Sequence, residues 1–359
     1  MLIKRKFSKN YSKKLIIIKD NKILCFIILI QQLLIIILFH YFIYFYNNKN
    51  DLNKNQQPLN FIDKNKLDYE NNTFIFLRRP CNNCGFFSHY KIFMSCIEKI
   101  IMKGFIPILD VISYPNVFNG FKAYSSDINP WELFFNQPFG YTYNEVIKKA
   151  KKIYYYDCKW EKFSPQYTNI YSKQIAIDFF HFIGQKYIPI KNEIIKEADI
   201  IINKLFGYSK NILGILIRGT DYIARKPKNH PIPPTAEQVI KDIKEMDKIN
   251  KYDCIFLTTE DNIIRTKFIN IFDKKLKYYL SKNNINYNYK TKELLSYNKY
   301  IKGNLENMKI YLINIIILSK CLDIITARTN GSIAAFILTE GFRNKKVYYL
   351  GLYKKNKKK

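Results

Sequence analysis

From residue 73 onward the sequence predicts an α/β protein, two Rossmann-like domains behind an N-terminal transmembrane helix. Three observations carry this. Short β-type apolar runs alternate with helical patterns, the sign of a parallel sheet. The alternation runs over 73–205 and begins again over 206–353, with no internal sequence repeat. Residues 23–46 hold no Asp, Glu, Lys or Arg.

That apolar segment, at about 1.5 Å rise per residue, is long enough for the roughly 30 Å of a bilayer core. It exceeds a usual signal-peptide core, and no small-residue cleavage site follows it, so it reads as an uncleaved anchor. Residues 1–22 carry eight Lys/Arg against one acid, and 47–66 carry four against two. The positive-inside bias leaves 1–22 as a cytosolic tail and puts the large domain across the membrane. Residues 47–72, rich in Asn, Lys and Gln, read as a flexible stem. Asn71-Asn72-Thr73 is a glycosylation sequon, meaningful only in a secretory compartment. The layout resembles a type II Golgi membrane protein. In a cell without a Golgi it would sit in the cell membrane.

The first domain opens with a strand at 73–77, a helix on the periodicity of Ile92, Phe93, Cys96, Ile97, Ile100 and Ile101, and a strand at 105–111. The stretch 112–170 reads as irregular and aromatic, and 173–205 as helical. In the second domain, strand 212–217 leads into a long loop, then a helix from Thr235, where Thr235 and Gln238 fit a capping box. A strand at 252–259, helices at 261–272 and 304–319, a strand at 322–327, a helix at 333–340 and a strand at 347–352 follow. Residues 354–359 form a basic tail.

A composition of 48% hydrophobic residues excludes wholesale disorder. The net charge of +30 is spread with Asn, Ile and Tyr along the whole chain, as an A/T-biased genome would produce. It favours anionic partners. No RNA-recognition, zinc-finger or helix-turn-helix pattern accompanies it, which sets nucleic acid aside.

Three loops leave carboxyl ends of second-domain strands, at 218–221, 258–261 and 326–332. In a parallel sheet they share one edge, where ligands bind. Arg218 at such an end suits a diphosphate, because its planar fork makes paired charge-assisted hydrogen bonds. Gly219, Thr220 and Asp221 turn the chain there. Thr259, Glu260 and Asp261 offer acceptors for a base or ribose, or a cap for the next helix. Thr329, Asn330, Gly331 and Ser332 open a helix whose positive end favours phosphate.

In order, Ile217-Arg218-Gly219-Thr220-Asp221, His230-Pro231, Leu257-Thr258-Thr259-Glu260-Asp261 and Thr329-Asn330-Gly331-Ser332 resemble the motifs of the α1,6-/O-fucosyltransferase superfamily. The resemblance spans roughly 74–350 and is close around 214–262 and 321–341. It implies the GT-B fold, GDP-fucose as donor and a glycan or protein hydroxyl as acceptor. It implies that Arg218 binds the β-phosphate and assists its departure, and that the strand-end acid and the 329–332 loop touch the nucleotide. The loop holding Asn83 and Gly85 resembles the family's first acceptor-domain loop. Ile215 or Leu216 stands where the family often shows a histidine, and Gly219 where it shows a second arginine. Another nucleotide-sugar donor, or a non-catalytic nucleotide- or glycan-binding membrane protein of the same fold, are the alternatives.

No Asp-X-Asp occurs in the chain, so no metal and no cofactor are expected; leaving-group charge would fall to Arg218 and helix N-termini. As general base the sequence offers Asp221 first, then His230 and Asp110. Cys81-X-X-Cys84 fits a redox pair, half a zinc site or a structural disulfide. Cys96, Cys158, Cys254 and Cys321 read as core. Trp131, with Phe134 and Phe135, reads as core or as a sugar-stacking platform.

Overall fold

The computed structural model describes residues 67–81, 84–119, 128–159, 165, 169–280 and 305–354, with Thr220, Asp221 and Arg225 by backbone only. Residues 1–66 lie outside the described residues, and with them the predicted anchor at 23–46. No described helix is long and apolar enough to cross a membrane.

β1 (Thr73–Arg78) is buried along its middle, as an interior parallel strand must be. It pairs in parallel with β2 (Ile106–Asp110) on one side and β3 (Lys152–Asp157) on the other. α1 (Phe86–Ile101) links β1 to β2. Thr142 caps α2 (Tyr143–Lys149), its side chain accepting from the Glu145 N–H. Sequence reasoning missed α2 and β3 inside the stretch it read as irregular. β3 lies on the sheet edge with Lys152, Tyr154 and Tyr155 exposed, so it lacks the apolar face that marks a strand. The predicted stem ends earlier than 72. Leu67 and Tyr69 pack on the first sheet, with Tyr69 edge-on to Tyr141 at 5.2 Å.

The helical stretch 173–205 is two helices, α3 (Gln174–Tyr187) and α4 (Asn192–Phe206). Pro189 separates them, since proline has no N–H to continue the ladder.

The second sheet contains β4 (Ile212–Leu216), β5 (Cys254–Thr258), β6 (Leu276–Lys277), β7 (Asp323–Ala327) and β8 (Asn344–Tyr348). All pairs are parallel, in the order β6-β5-β4-β7-β8. The chain runs outward from β4 to β6, then returns to the other side of β4, so the order reverses between β4 and β7. The connecting helices are α5 (Thr220–Arg225), α6 (Ala236–Asn250), α7 (Asn262–Phe272), α8 (Leu305–Ser319) and α9 (Asn330–Leu338). The Thr235/Gln238 capping box of α6 is present as expected. Two second-half expectations need correction. α5 lies in the segment read as loop, and β8 starts three residues before the predicted 347. Asn344, Lys345 and Lys346 read as loop, but charged residues are what an exposed edge strand carries.

One hydrophobic cluster runs through both halves, because helices of each pack into a shared layer. α9 is buried from Gly331 to Ile337 and lies against α1, α3 and α8. Gly184 of α3 sits where these helices meet; a Cβ there would come within 2.9 Å of Met94 and 3.4 Å of Ile337. Trp131 is fully buried, stacked on Phe135 at 4.4 Å and edge-on to Phe93 at 5.2 Å. It is core. Cys81 and Cys84 form a disulfide before α1, and the other four described cysteines are buried.

Candidate nucleotide site at the switch point

Strand alternation decides which side chains share a face. Ile212 and Leu216 of β4, Cys254 and Phe256 of β5, and Ile324 of β7 all point into the cluster shared with the first half. Leu213, Ile215, Leu257 and Ile325 point into the other core. Leu216 is in register with Thr258. Two residues further on, Arg218 and Glu260 stand side by side on the face turned toward the first half. The contact follows: Arg218 Nε lies 3.9 Å from Glu260 Oε1, both partly buried. Glu260 Oε1 also accepts the Gly219 N–H at 3.1 Å.

The Arg218 guanidinium carbon lies over the Tyr222 ring, 4.1 Å from its centroid. Tyr222 Oη is in turn 2.8 Å from His230 Nδ1. His230 thus reaches Arg218 through Tyr222 and braces the loop that carries it. Sequence reasoning missed Tyr222, because the six-residue helix that returns it to Arg218 was read as loop. Glu260 and Tyr222 hold the guanidinium at the carboxyl end of β4, and the planar fork of an arginine suits an anion there.

Asp261 is buried and caps α7: its Oδ1 accepts from Ile263 N–H at 2.9 Å and Ile264 N–H at 3.1 Å. Thr259 is buried too, its Oγ1 accepting the Asp261 N–H at 3.1 Å. Of the predicted acids, Glu260 therefore faces Arg218 and Asp261 shapes the loop. Gly219 presses on that cap; a Cβ would lie 2.8 Å from Asp261 Cβ and 2.9 Å from its Cγ, and closer still to Oδ2.

At the end of β7, Thr329 and Ser332 form a reciprocal capping box on α9. Ser332 is fully buried and also bonds the Ala327 carbonyl at 2.8 Å, so it holds the loop's shape rather than its surface. Gly331 is likewise buried; a Cβ would overlap the Tyr311 hydroxyl. Thr329 and Asn330 are the half-buried members. Tyr171, from the first half, bonds Ser332 Oγ at 2.9 Å and the Thr329 carbonyl at 3.2 Å. Burial raises the Tyr171 phenol, which therefore stays protonated. With Tyr171 and Ser332 separated by 161 positions in the sequence, no local pattern announces this pairing.

Of the first-half candidates, Gly85 and Asp110 lie at the carboxyl edge of the other sheet. Gly85 precedes α1 as its N-cap, with no heavy atom within 4 Å of where a Cβ would stand. Asp110 is buried and binds Ser113 and the Ile112 N–H. Burial raises its carboxyl, against the lowering effect of those hydrogen bonds. Asn83 and the side chains of Thr220 and Asp221 lie outside what is described. No cluster of His, Cys, Asp or Glu suited to a metal occurs among the described residues.

Fold and site together define a parallel α/β protein with an arginine on the carboxyl edge beside a topological switch point, the place where such sheets bind ligands. No protein-family model and no curated protein sequence matches the chain. Among solved structures it is similar to the fucosyltransferase NodZ from Bradyrhizobium, at 14% identity and a TM-score of 0.45, over 75% of this chain and 93% of that one. It is similar to POFUT1 in complex with GDP, at 12% identity and 0.42, over 77% and 98%. A mutant of Arabidopsis thaliana FUT1 in complex with GDP gives 10% identity and 0.42, over 79% and 72%. At such values the functional reading rests on the residues themselves.

Proposed function

We propose that the chain is a membrane-anchored glycosyltransferase of GT-B type that takes a nucleoside-diphosphate sugar, GDP-fucose first among them, and transfers the sugar to a glycan or protein hydroxyl. The observation that carries this is Arg218, held between Glu260 and Tyr222 at the carboxyl end of β4, beside the switch point. As the sugar–phosphate bond breaks, negative charge grows on the leaving diphosphate, and a preorganised guanidinium meets it without reorganising. The missing Asp-X-Asp supports a reaction that needs no metal. Attack by the acceptor hydroxyl on the face opposite the diphosphate inverts the anomeric centre. Asp221 is the proposed base. His230, bonded to Tyr222, acts in this reading as a brace.

A lumenal placement is supported by the Cys81–Cys84 disulfide, since such bonds persist in oxidising compartments. It is also supported by the exposure of Asn71, the acceptor of the sequon. The deciding experiment is a thermal-shift panel of GDP, UDP and ADP on the full chain. A donor nucleotide at a hundredfold its dissociation constant stabilises by about 2.7 kcal/mol. No shift with any nucleoside diphosphate overturns the proposal. GDP-fucose hydrolysis without acceptor separates an enzyme from a binding protein.

A further inference from the structure

The register that joins Arg218 to Glu260 continues across the sheet. Leu216 of β4 pairs with Thr326 of β7, and Thr326 with Val347 of β8. Two residues beyond each, Arg218, Arg328 and Tyr349 follow Glu260 in a single row along the carboxyl edge. The row is observed at both ends: Arg218 contacts Glu260, and the Arg328 guanidinium lies 4.4 Å from the Tyr349 ring centroid. Alternation puts Arg328 on the same face as Arg218, and its guanidinium is also 5.6 Å from the ring of Tyr171, a first-half residue.

Two guanidiniums thus stand on adjacent strand ends, whose backbones run about 4.8 Å apart. Like charges placed so repel. Glu260 meets Arg218 from the side away from Arg328. Arg328 is exposed and makes no ion pair among the described residues; it is held by two tyrosine faces. With its guanidinium carbon over two rings and no hydrogen bond from it among the described residues, its N–H donors are available to grip phosphate. The gap between Arg218 and Arg328 lies at the β4/β7 reversal, where a parallel sheet binds its ligand.

We infer that Arg328 is a second diphosphate-binding residue, and that the diphosphate of the donor straddles the β4/β7 junction with one guanidinium on each side. The inference rests on the donor reading above. It adds a residue that the motif reading did not single out, and it explains why two tyrosines rather than an acid hold this side chain.

Calorimetric titration of the full chain with GDP, GMP and inorganic diphosphate tests it. Arg328→Gln is expected to weaken GDP and inorganic diphosphate by about 10- to 100-fold, the range for hydrogen bonds to a charged group. GMP, too short to reach both guanidiniums, is expected to lose much less. Arg328→Lys, which keeps the charge, is expected to recover part of the affinity. GDP binding by Arg328→Gln equal to wild type overturns the inference and leaves the donor reading intact. So does an equal loss for GDP and GMP, or a lysine variant no better than glutamine. Loss in Arg328→Gln with none in Arg218→Gln overturns the Arg218-centred reading and keeps the anion site at Arg328. A wild-type chain that binds neither GDP nor inorganic diphosphate overturns both.

Discussion

Gly219→Ala places one methyl group against the most crowded point of the site. The backbone there has φ −119°, so left-handed strain plays no part. The cost is overlap: the new Cβ would stand 2.8 Å from Asp261 Cβ and 2.9 Å from its Cγ, nearer still to Oδ2. Asp261 is buried and tied by Oδ1 to two α7 N–H groups, so it moves only by releasing that cap. Overpacking of this kind costs about 1–3 kcal/mol, and a lost N-cap about 1 more. The expected total is about 2–4 kcal/mol, read in denaturant titrations followed by circular dichroism. A partner variant isolates the cause. Asp261→Gly removes all three crowded atoms, and glycine as N-cap costs only a few tenths of a kcal/mol. In that background Gly219→Ala should cost under about 1 kcal/mol, a coupling of the size expected between residues in contact. An equal cost in both backgrounds would refute the overlap argument.

Arg218→Ala should lower kcat by about 10²–10³ beyond any loss of donor affinity, and Arg218→Lys should also be severe because the fork is lost; near wild-type turnover in a folded variant would make Arg218 a structural ion pair. Transfer should survive excess EDTA, and activity restored only by Mn²⁺ would end the arginine-based mechanism. Asp323 is fully buried and bonded to Arg343, Tyr252 and Asn344. Burial pushes its carboxyl up, but those bonds outweigh burial and hold it below the ordinary value of 3.8. Its stabilisation is therefore present above about pH 4 and lost as pH falls through the lowered folded value. Asp323→Asn should cost about 3 kcal/mol at neutral pH, the low end for breaking a buried pair because Arg343 is half open to water, and the gap to wild type should close in acid. Protease added to intact vesicles should spare residues 73–359; their digestion with survival of 1–22 would reverse the orientation.

What the sequence revealed was what short-range patterns encode. The runs before Arg218, Glu260 and Arg328 are continuous apolar strands ended by turn residues, so the loops at the carboxyl edge were legible. The caps at Thr235 and Asp261 were legible for the same reason. The order β6-β5-β4-β7-β8 was not, because strand pairing is decided by tertiary packing that no local window contains. That order is what puts Arg218 between Glu260 and Arg328. The tyrosines were hidden differently. Tyr222 falls in a helix of six residues amid Lys, Pro and Asn, too short to show a period. Tyr171 follows a stretch without periodicity, and its partner belongs to the other half. Edge strands were the last blind spot, since β3 and β8 carry the Lys and Tyr that solvent, rather than a core, selects.

The position of α9 limits how this molecule can be divided. Ile333, Ala334, Ala335, Phe336 and Ile337 are all buried, on sides that include α1 and α3 of the first half. Full burial of each Ile or Phe here is worth about 1.5–3 kcal/mol. A fragment starting at residue 206 would keep every strand of the second sheet yet present this helix, with the apolar side of α8, bare to water. Patches of that kind drive association. Such a fragment is destined for aggregates rather than solution, and the 206–353 half is best pictured as a lobe that inherits its solubility from its neighbour.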